Sequence, residues 1–252
     1  MRLALLAIPA VRSAVALELG RDVEYHASLA STQDRARELA GEAGRSLVVV
    51  ADHQTAGRGT HGRIWLAPPG TSLLASWVLA PAPARPSLFA LLAGVAIARA
   101  LDRLGTSGAS LKWPNDVEAG HKKVAGVLAH ATTSGEGGSL VLGIGVNVHQ
   151  RATDFPEELR STATSLALAG TAVDRLDLLA VLNAELDRIA SPAERAAAMA
   201  EWRARSSVIG REVQVTREGR SVLRGIARDI DDDGALLVAN ERVLAGDVRT
   251  VG

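Results

Sequence analysis

The sequence predicts an α+β fold that ends in a small β-barrel. Three observations predict it. Up to about residue 205, apolar runs of strand length alternate with longer segments of helical periodicity. Beyond Ser206, short strand-like runs take over, each closed by a glycine. Of the 252 residues, 47% are hydrophobic, enough to fill one large core and a small one. The boundary is therefore placed near 206, dividing the chain into 1–205 and 206–252.

The opening, MRLALLAIPAVRSAVALELG, is apolar. Its basic start is thin and its apolar run is short and broken by Arg12, so a secretory leader is the weaker reading. Ser31 and Thr32 precede a helix from Gln33 to Glu42, because a hydroxyl there accepts the free N–H groups of a first turn. Gly44 ends it. Leu47 to Ala51 is a buried strand, and Thr71 to Leu79 is another, set off by Pro68-Pro69-Gly70. Ser87 to Leu104 is an apolar-faced helix stopped by Gly105. Strands follow at Ser110 to Trp113, Val124 to Ala131 and Ser139 to Val148. Glycines 135, 137 and 138 mark a hairpin turn between the last two. Arg175 to Ile189 and Ala193 to Arg205 are helices, the second with Pro192 at its first turn. The tail reads as strands at Arg211 to Val215, Ser221 to Ile230, Ala235 to Ala239 and Val248 to Val251, punctuated by Gly210, Gly219, Gly234 and Gly246.

Composition narrows the function. Basic and acidic residues balance at 28 each, which leaves no global field for a nucleic acid or an anionic membrane. No segment reaches the roughly 20 apolar residues of a membrane span. With no cysteine, disulfides and thiolate chemistry are excluded, and a reducing cytoplasm fits. The histidines lack metal-ligand spacing, and no nucleophile elbow is present. The only lysines are Lys112, Lys122 and Lys123, inside twelve positions of an otherwise arginine-based chain. Arginine does not replace a compact ammonium, so this region is where lysine chemistry is expected.

Four constellations carry candidate chemistry. Gly57-Arg58-Gly59-Thr60-His61-Gly62-Arg63 matches a dinucleotide pattern, but no helix start follows it. No acidic residue occurs from His53 to Leu101 to hold a ribose. It reads instead as a flexible loop whose glycines let backbone approach a ligand, with two guanidinium forks, or as an ordinary exposed turn. Lys112-Trp113-Pro114-Asn115-Asp116 leaves a strand for a turn; its amide could read a base edge and its acid could help hold Mg²⁺, or both could serve an Asx turn. Lys123 opens an apolar strand in which Gly126 exposes backbone. Asn147 is a polar residue in the apolar strand Gly143 to Val148 and needs a partner.

In this order, together with Ser31-Thr32-Gln33, Gln54 and Ala163-Thr164-Ser165-Leu166, these motifs resemble the biotin protein ligases. The resemblance covers roughly residues 25 to 252. It implies a catalytic unit like that of class II aminoacyl-tRNA synthetases and a Src-homology-3-like C-terminal barrel. It implies that biotin is activated with ATP to biotinyl-5′-AMP, with Mg²⁺, and passed to a lysine of a biotin carboxyl carrier domain. By the same resemblance Lys123 and Arg58 would be catalytic. Ser31, Thr32, Gln33, Gln54, Arg58, Gly59, Thr60, Lys123, Gly126 and Leu128 would bind biotin. Arg58, Arg63, Trp65, Lys112, Asn115 and Asn147 would bind the nucleotide. Asp116 would be a Mg²⁺ ligand or a structural residue. Many members carry asparagine where this chain has Gln33, and arginine where it has Thr60. About 25 residues precede the resemblance, too few for the DNA-binding domain of the bifunctional repressors, so no DNA partner is expected. The rival readings are a lipoate or octanoate ligase or transferase of similar fold, and a non-catalytic biotin or nucleotide sensor. Residues Gly57 to Arg63 followed by Trp65 favour biotin over lipoate, and Lys123 with Arg58 favours an enzyme over a sensor.

Overall fold

A computed structural model describes residues 2–43, 46–132, 138–217 and 222–251. The expected stops and turns at Gly44, Gly135, Gly137 and Gly219, and the expected strand start at Ser221, lie outside these residues.

The apolar opening folds. A 3₁₀ helix, Arg2–Ala7, and α1, Pro9–Leu19, form from it, with Leu3 and Leu6 fully buried. Gly20, at φ 64°, ends α1 by turning its N–H back to Ala16 and Leu17 carbonyls. Then come β1 (Asp22–His26), α2 (Thr32–Ala43), β2 (Leu47–Ala51), β3 (Ser72–Leu79), α3 (Phe89–Arg103), β4 (Ser110–Lys112), β5 (Asp116–Ala119), β6 (Lys122–Thr132) and β7 (Ser139–Asn147). The seven strands form one sheet in the order β1-β2-β3-β7-β6-β5-β4. Only β1 and β2 run parallel. Sequence periodicity gave no sign of β1 or β5. Both are short and polar, and Asp116, expected in a turn, opens β5.

Both faces of the sheet are covered, so β2 is apolar at every position rather than at alternate ones. Val48 and Val50 join the main core with α3 and with α4 (Arg175–Ala190). Leu47 and Val49 face α2 and pack with Ala36, Val78 and Val141. Asp174 caps α4 by accepting from Leu176 N at 2.9 Å. One buried polar joint ties α1, β3 and α4 together. Trp77 Nε1 donates to Asn183 Oδ1 at 3.1 Å, and Asn183 Nδ2 donates to Leu19 O at 3.1 Å. Asn183→Ala removes both bonds and a third, from Nδ2 to Asp187 Oδ2 at 3.2 Å, and leaves buried groups unpaired, so it should cost about 2–4 kcal/mol. A lower urea midpoint at unchanged slope is the expected readout.

The second sheet follows α5, Pro192–Arg205. Its strands are β8 (Glu212–Thr216), β9 (Leu223–Ile230), β10 (Leu236–Val238), β11 (Glu241–Val243) and β12 (Asp247–Thr250). They are antiparallel, in the order β11-β10-β9-β8-β12. The sheet sits against β4 and α3: Trp113 Nε1 donates to Gly234 O at 2.9 Å, and Ser207 N to Leu111 O at 2.9 Å. A side chain at Gly234 would press on Leu88 and Leu91.

Candidate active site

The site forms where the chain leaves β1 and β2 side by side. Thr55 N donates to Leu29 O and Ala56 N to Ala30 O, both at 2.9 Å. This pairing sets Gln54 beside the start of α2. Ser31 Oγ accepts from Asp34 N at 3.4 Å as the cap of that helix. Thr32 donates to Gln54 Oε1 twice, from N at 2.7 Å and from Oγ1 at 2.9 Å. Ser76 Oγ on β3 lies 2.9 Å from Thr32 Oγ1 and 3.3 Å from Gln33 Oε1, with one proton for the two. Gln33 Nε2 reaches Leu128 O at 3.4 Å and Val141 O at 3.3 Å. Ser31, Thr32 and Gln33 are buried. The result is a closed, uncharged end rich in both donors and acceptors.

Glycines form the floor. Gly126 pairs with Gly145 and Leu128 with Gly143 across β6 and β7. The Trp65 indole lies on Gly145, where a Cβ would come within 2.7 Å of the ring. Trp65 reaches that position from a small hairpin. Its N donates to Gly57 O at 3.0 Å, and Gly59 N donates to Arg63 O at 2.8 Å. The cavity encloses about 470 Å³, counting its open mouth. Leu74, Ile144 and Val127 complete its apolar wall.

Lys123 enters by an irregularity. In the β5–β6 ladder Val117 pairs with Ala125 and Glu118 with Lys123, so Val124 is an extra residue. Strict alternation would set Lys122, not Lys123, on the face of Gly126 and Leu128. The bulge re-aims Lys123 onto it. There Lys123 Nζ lies 2.6 Å from Asp116 Oδ1 and 5.6 Å from the centre of the Trp65 ring.

The cavity thus brings together Ser31, Thr32, Gln33, Gln54, Arg58, Gly59, Thr60, Trp65, Asn115, Lys123, Gly126 and Leu128. Arg58 Nε donates to Asp34 Oδ2 at 2.7 Å, and Asn115 Nδ2 to Val127 O at 2.8 Å. Four expected site residues do not line it. Arg63 pairs with Asp247 of β12. Lys112 Nζ lies 3.8 Å from Glu118. Asn147 is buried and donates from Nδ2 to Thr164 O at 3.0 Å. Asp116 stands behind Lys123. Sequence reasoning had not assigned Ser76, Gly143 or Gly145 to the site. The signal for Ser76 was present: Ser72 and Ser76 are the polar residues of β3, four apart and therefore on one face. Among the described residues no group of three or more acidic or histidine side chains could hold a metal.

Residues 25–147 match the Biotin/lipoate A/B protein ligase family, and residues 208–248 match the Biotin protein ligase C terminal domain. The biotin--[acetyl-CoA-carboxylase] ligase of Paracoccus denitrificans is 35% identical over 223 residues, which cover 82% of this chain and 90% of that one. The chain belongs to the biotin protein ligase family. Its relative from Mycobacterium tuberculosis, also a biotin--[acetyl-CoA-carboxylase] ligase, is 39% identical over 215 residues, 80% of this chain and 76% of that one. The bifunctional ligase/repressor BirA of Bacillus subtilis is 38% identical over 167 residues, 64% of this chain; the match spans about half of that relative, 51%. Among solved structures, the biotin protein ligase of Aquifex aeolicus in complex with biotin and ATP superposes with a TM-score of 0.77 at 28% identity. That match covers 91% of this chain and 99% of the other. Family membership accounts for both sheets, the α+β catalytic unit and the small C-terminal β unit that follows it.

Proposed function

We propose that this ligase-family chain joins biotin to ATP, forming biotinyl-5′-AMP and pyrophosphate, and then transfers biotin to a lysine of a biotin carboxyl carrier domain. One observation carries the reading: a single cavity has a buried neutral polar end and a cationic end, with apolar walls between. A ureido ring offers a carbonyl and two N–H groups, which match the hydroxyls and amides of Ser31, Thr32 and Gln54. Gln33 backs that end from the sheet. The hydrocarbon tail fits along Trp65, Leu74 and Ile144, which brings its carboxylate to Lys123.

The chemistry then follows from charge. The carboxylate oxygen attacks the α-phosphorus of ATP and pyrophosphate leaves. Two anions must meet, and Lys123 and Arg58 stabilise the charge that develops between them. Asn115 and Trp65 lie where the nucleotide would extend. The neutral amine of the acceptor lysine next attacks the carbonyl carbon of the mixed anhydride, and AMP leaves with the bonding pair. Mg²⁺ would arrive on the ATP with phosphate and water as its main ligands. Asp116 is already engaged by Lys123, and the steps above do not need it as a metal ligand. Arg63, Lys112 and Asn147 have no direct contact with substrate in this reading. The boundary at 206 fits it, since the small sheet closes one side of the cleft near Gly59 and Thr60.

The polar end also separates biotin from lipoate. A dithiolane has no N–H or carbonyl, so it would make no hydrogen bond to Ser31, Thr32 or Gln54 and would forgo the polar contacts that a ureido ring gains there. Holding a carboxylate needs one cation, and a second, Arg58, in the same lining as Lys123 favours an enzyme over a sensor. Among the described residues no helix is long and apolar enough to cross a membrane. The test is transfer of labelled biotin to a carrier domain with and without ATP, beside pyrophosphate exchange elicited by biotin or lipoate. ATP-independent labelling, or exchange with lipoate alone, would overturn the proposal.

Thr60 adds a prediction. It begins the tip of the hairpin over the cavity, and it supplies no charge there. Thr60→Arg adds a guanidinium beside the adenylate phosphate and should slow adenylate release about tenfold. Equal release rates from the two proteins would refute it.

A further inference from the structure

We infer that Asn147 and Gln150 are positioning residues for Lys123, acting through the segment Ala163 to Leu166; this rests on the adenylation reading above. The β6–β7 ladder starts at Ala125 and Val146, so Lys123 lies beyond the end of its neighbour strand. It also adjoins the bulge at Val124, where pairing with β5 shifts. A lysine so placed needs another anchor. The segment after β7 returns to supply it: Lys123 N donates to Thr162 O at 2.7 Å, and Thr164 N donates to Lys123 O at 2.9 Å.

That segment is itself fastened to the end of β7. Leu166 N donates to Asn147 O at 3.0 Å, and Ala167 N to Val148 O at 2.9 Å. Ser165 Oγ donates to Gln150 O at 2.7 Å. Thr164 is the link: its N–H holds Lys123, and its carbonyl accepts from Asn147 Nδ2 at 3.0 Å. Asn147 is oriented in turn by Gln150, whose Nε2 donates to Asn147 Oδ1 at 2.8 Å and to Ser72 Oγ at 2.5 Å. Gln150 is 1% exposed, Asn147 5% and Ser72 0%. Both Asn147 side-chain atoms and Gln150 Nε2 are partnered, which fixes their direction, while Gln150 Oε1 is buried without a partner. The network holds the backbone of Lys123 from outside the cavity, since neither Asn147 nor Gln150 lines it.

The test uses the full chain with Asn147→Asp and, separately, Gln150→Met. Asn147→Asp keeps the shape but sets an oxygen against Thr164 O. Gln150→Met removes the donor to Asn147 at a residue outside the cavity. Biotin-dependent pyrophosphate exchange gives kcat and both KM values, and hydrogen exchange reads the Lys123 and Thr164 amides. In both variants kcat should fall about tenfold or more with both KM values nearly unchanged, since slight misplacement of a reacting group costs this much. Exchange at the two amides should quicken while the β3 amides stay protected. A raised KM for ATP in Asn147→Asp alone would overturn the inference in favour of direct nucleotide contact. So would unchanged kcat and exchange, or exchange quickened evenly through the sheet. If the unaltered chain shows no biotin-dependent pyrophosphate exchange, the adenylation reading fails, and the amide measurements still decide whether this network holds Lys123.

Discussion

Lys123→Ala should lower biotin-dependent pyrophosphate exchange by at least about a hundredfold while leaving the circular dichroism spectrum and the urea midpoint in place. The fold should tolerate the change because the side chain is about one-third exposed and lies outside the hydrophobic core. The chemistry should not tolerate it, for two reasons that add. The ammonium that stabilises the meeting of carboxylate and phosphate is gone. Asp116, which it holds at 2.6 Å, is also released as a bare carboxylate beside the reacting anions. Adding Asp116→Asn to Lys123→Ala should therefore recover part of the rate. Lys123→Arg should stay slow, because Lys123 Cε and Nζ already lie 3.1 Å from where a Cβ on Gly126 would stand and a planar fork needs more room. Exchange within threefold of the unaltered protein would remove Lys123 from the chemistry.

The elements that the sequence revealed best are those that bury one face or both. The runs Leu47 to Ala51 and Phe89 to Arg103 were plain because nearly every residue enters a core. β1 and β5 were not legible, since their residues are mixed in polarity and their pairing is decided by neighbours far along the chain. The site was legible as residue types: Ser31 to Gln33, Gln54, Arg58 and Lys123 do share one cavity. Its geometry was less so. Alternation alone would aim Lys122 into the cavity, and only the extra Val124 puts Lys123 there. Asn147 looked like a ligand contact because a buried amide needs a partner; it bonds to nearby Gln150 and to Thr164 and Ser72, which are reached across sequence gaps that no motif spans.

Gly57→Ala should be nearly as damaging as loss of Lys123, through position rather than charge. A Cβ at residue 57 would stand 2.5 Å from the Trp65 carbonyl oxygen and 3.0 Å from Gln54 Nε2. The first neighbour is backbone and cannot rotate away. The hairpin would have to open, breaking the bond from Trp65 N to Gly57 O and the pairing of Arg58 with Ile64. Gln54 would be pushed from the polar end while Trp65 left its place beside Lys123 and Arg58 its place beside Asp34, so both substrates lose contacts at once. The expected outcome is a rise in KM for biotin and for ATP and a fall in kcat/KM of about a hundredfold, the scale of one misplaced reacting geometry. Stability should change little, because Ile64 and Leu66 of this hairpin are exposed and none of it enters the main core. Gly62→Ala is the control. It has open space for a Cβ, and its φ of +72° strains only the hairpin tip, so its effect should be far smaller. If the two alanine variants behave alike, close backbone approach at Gly57 is not what shapes this loop.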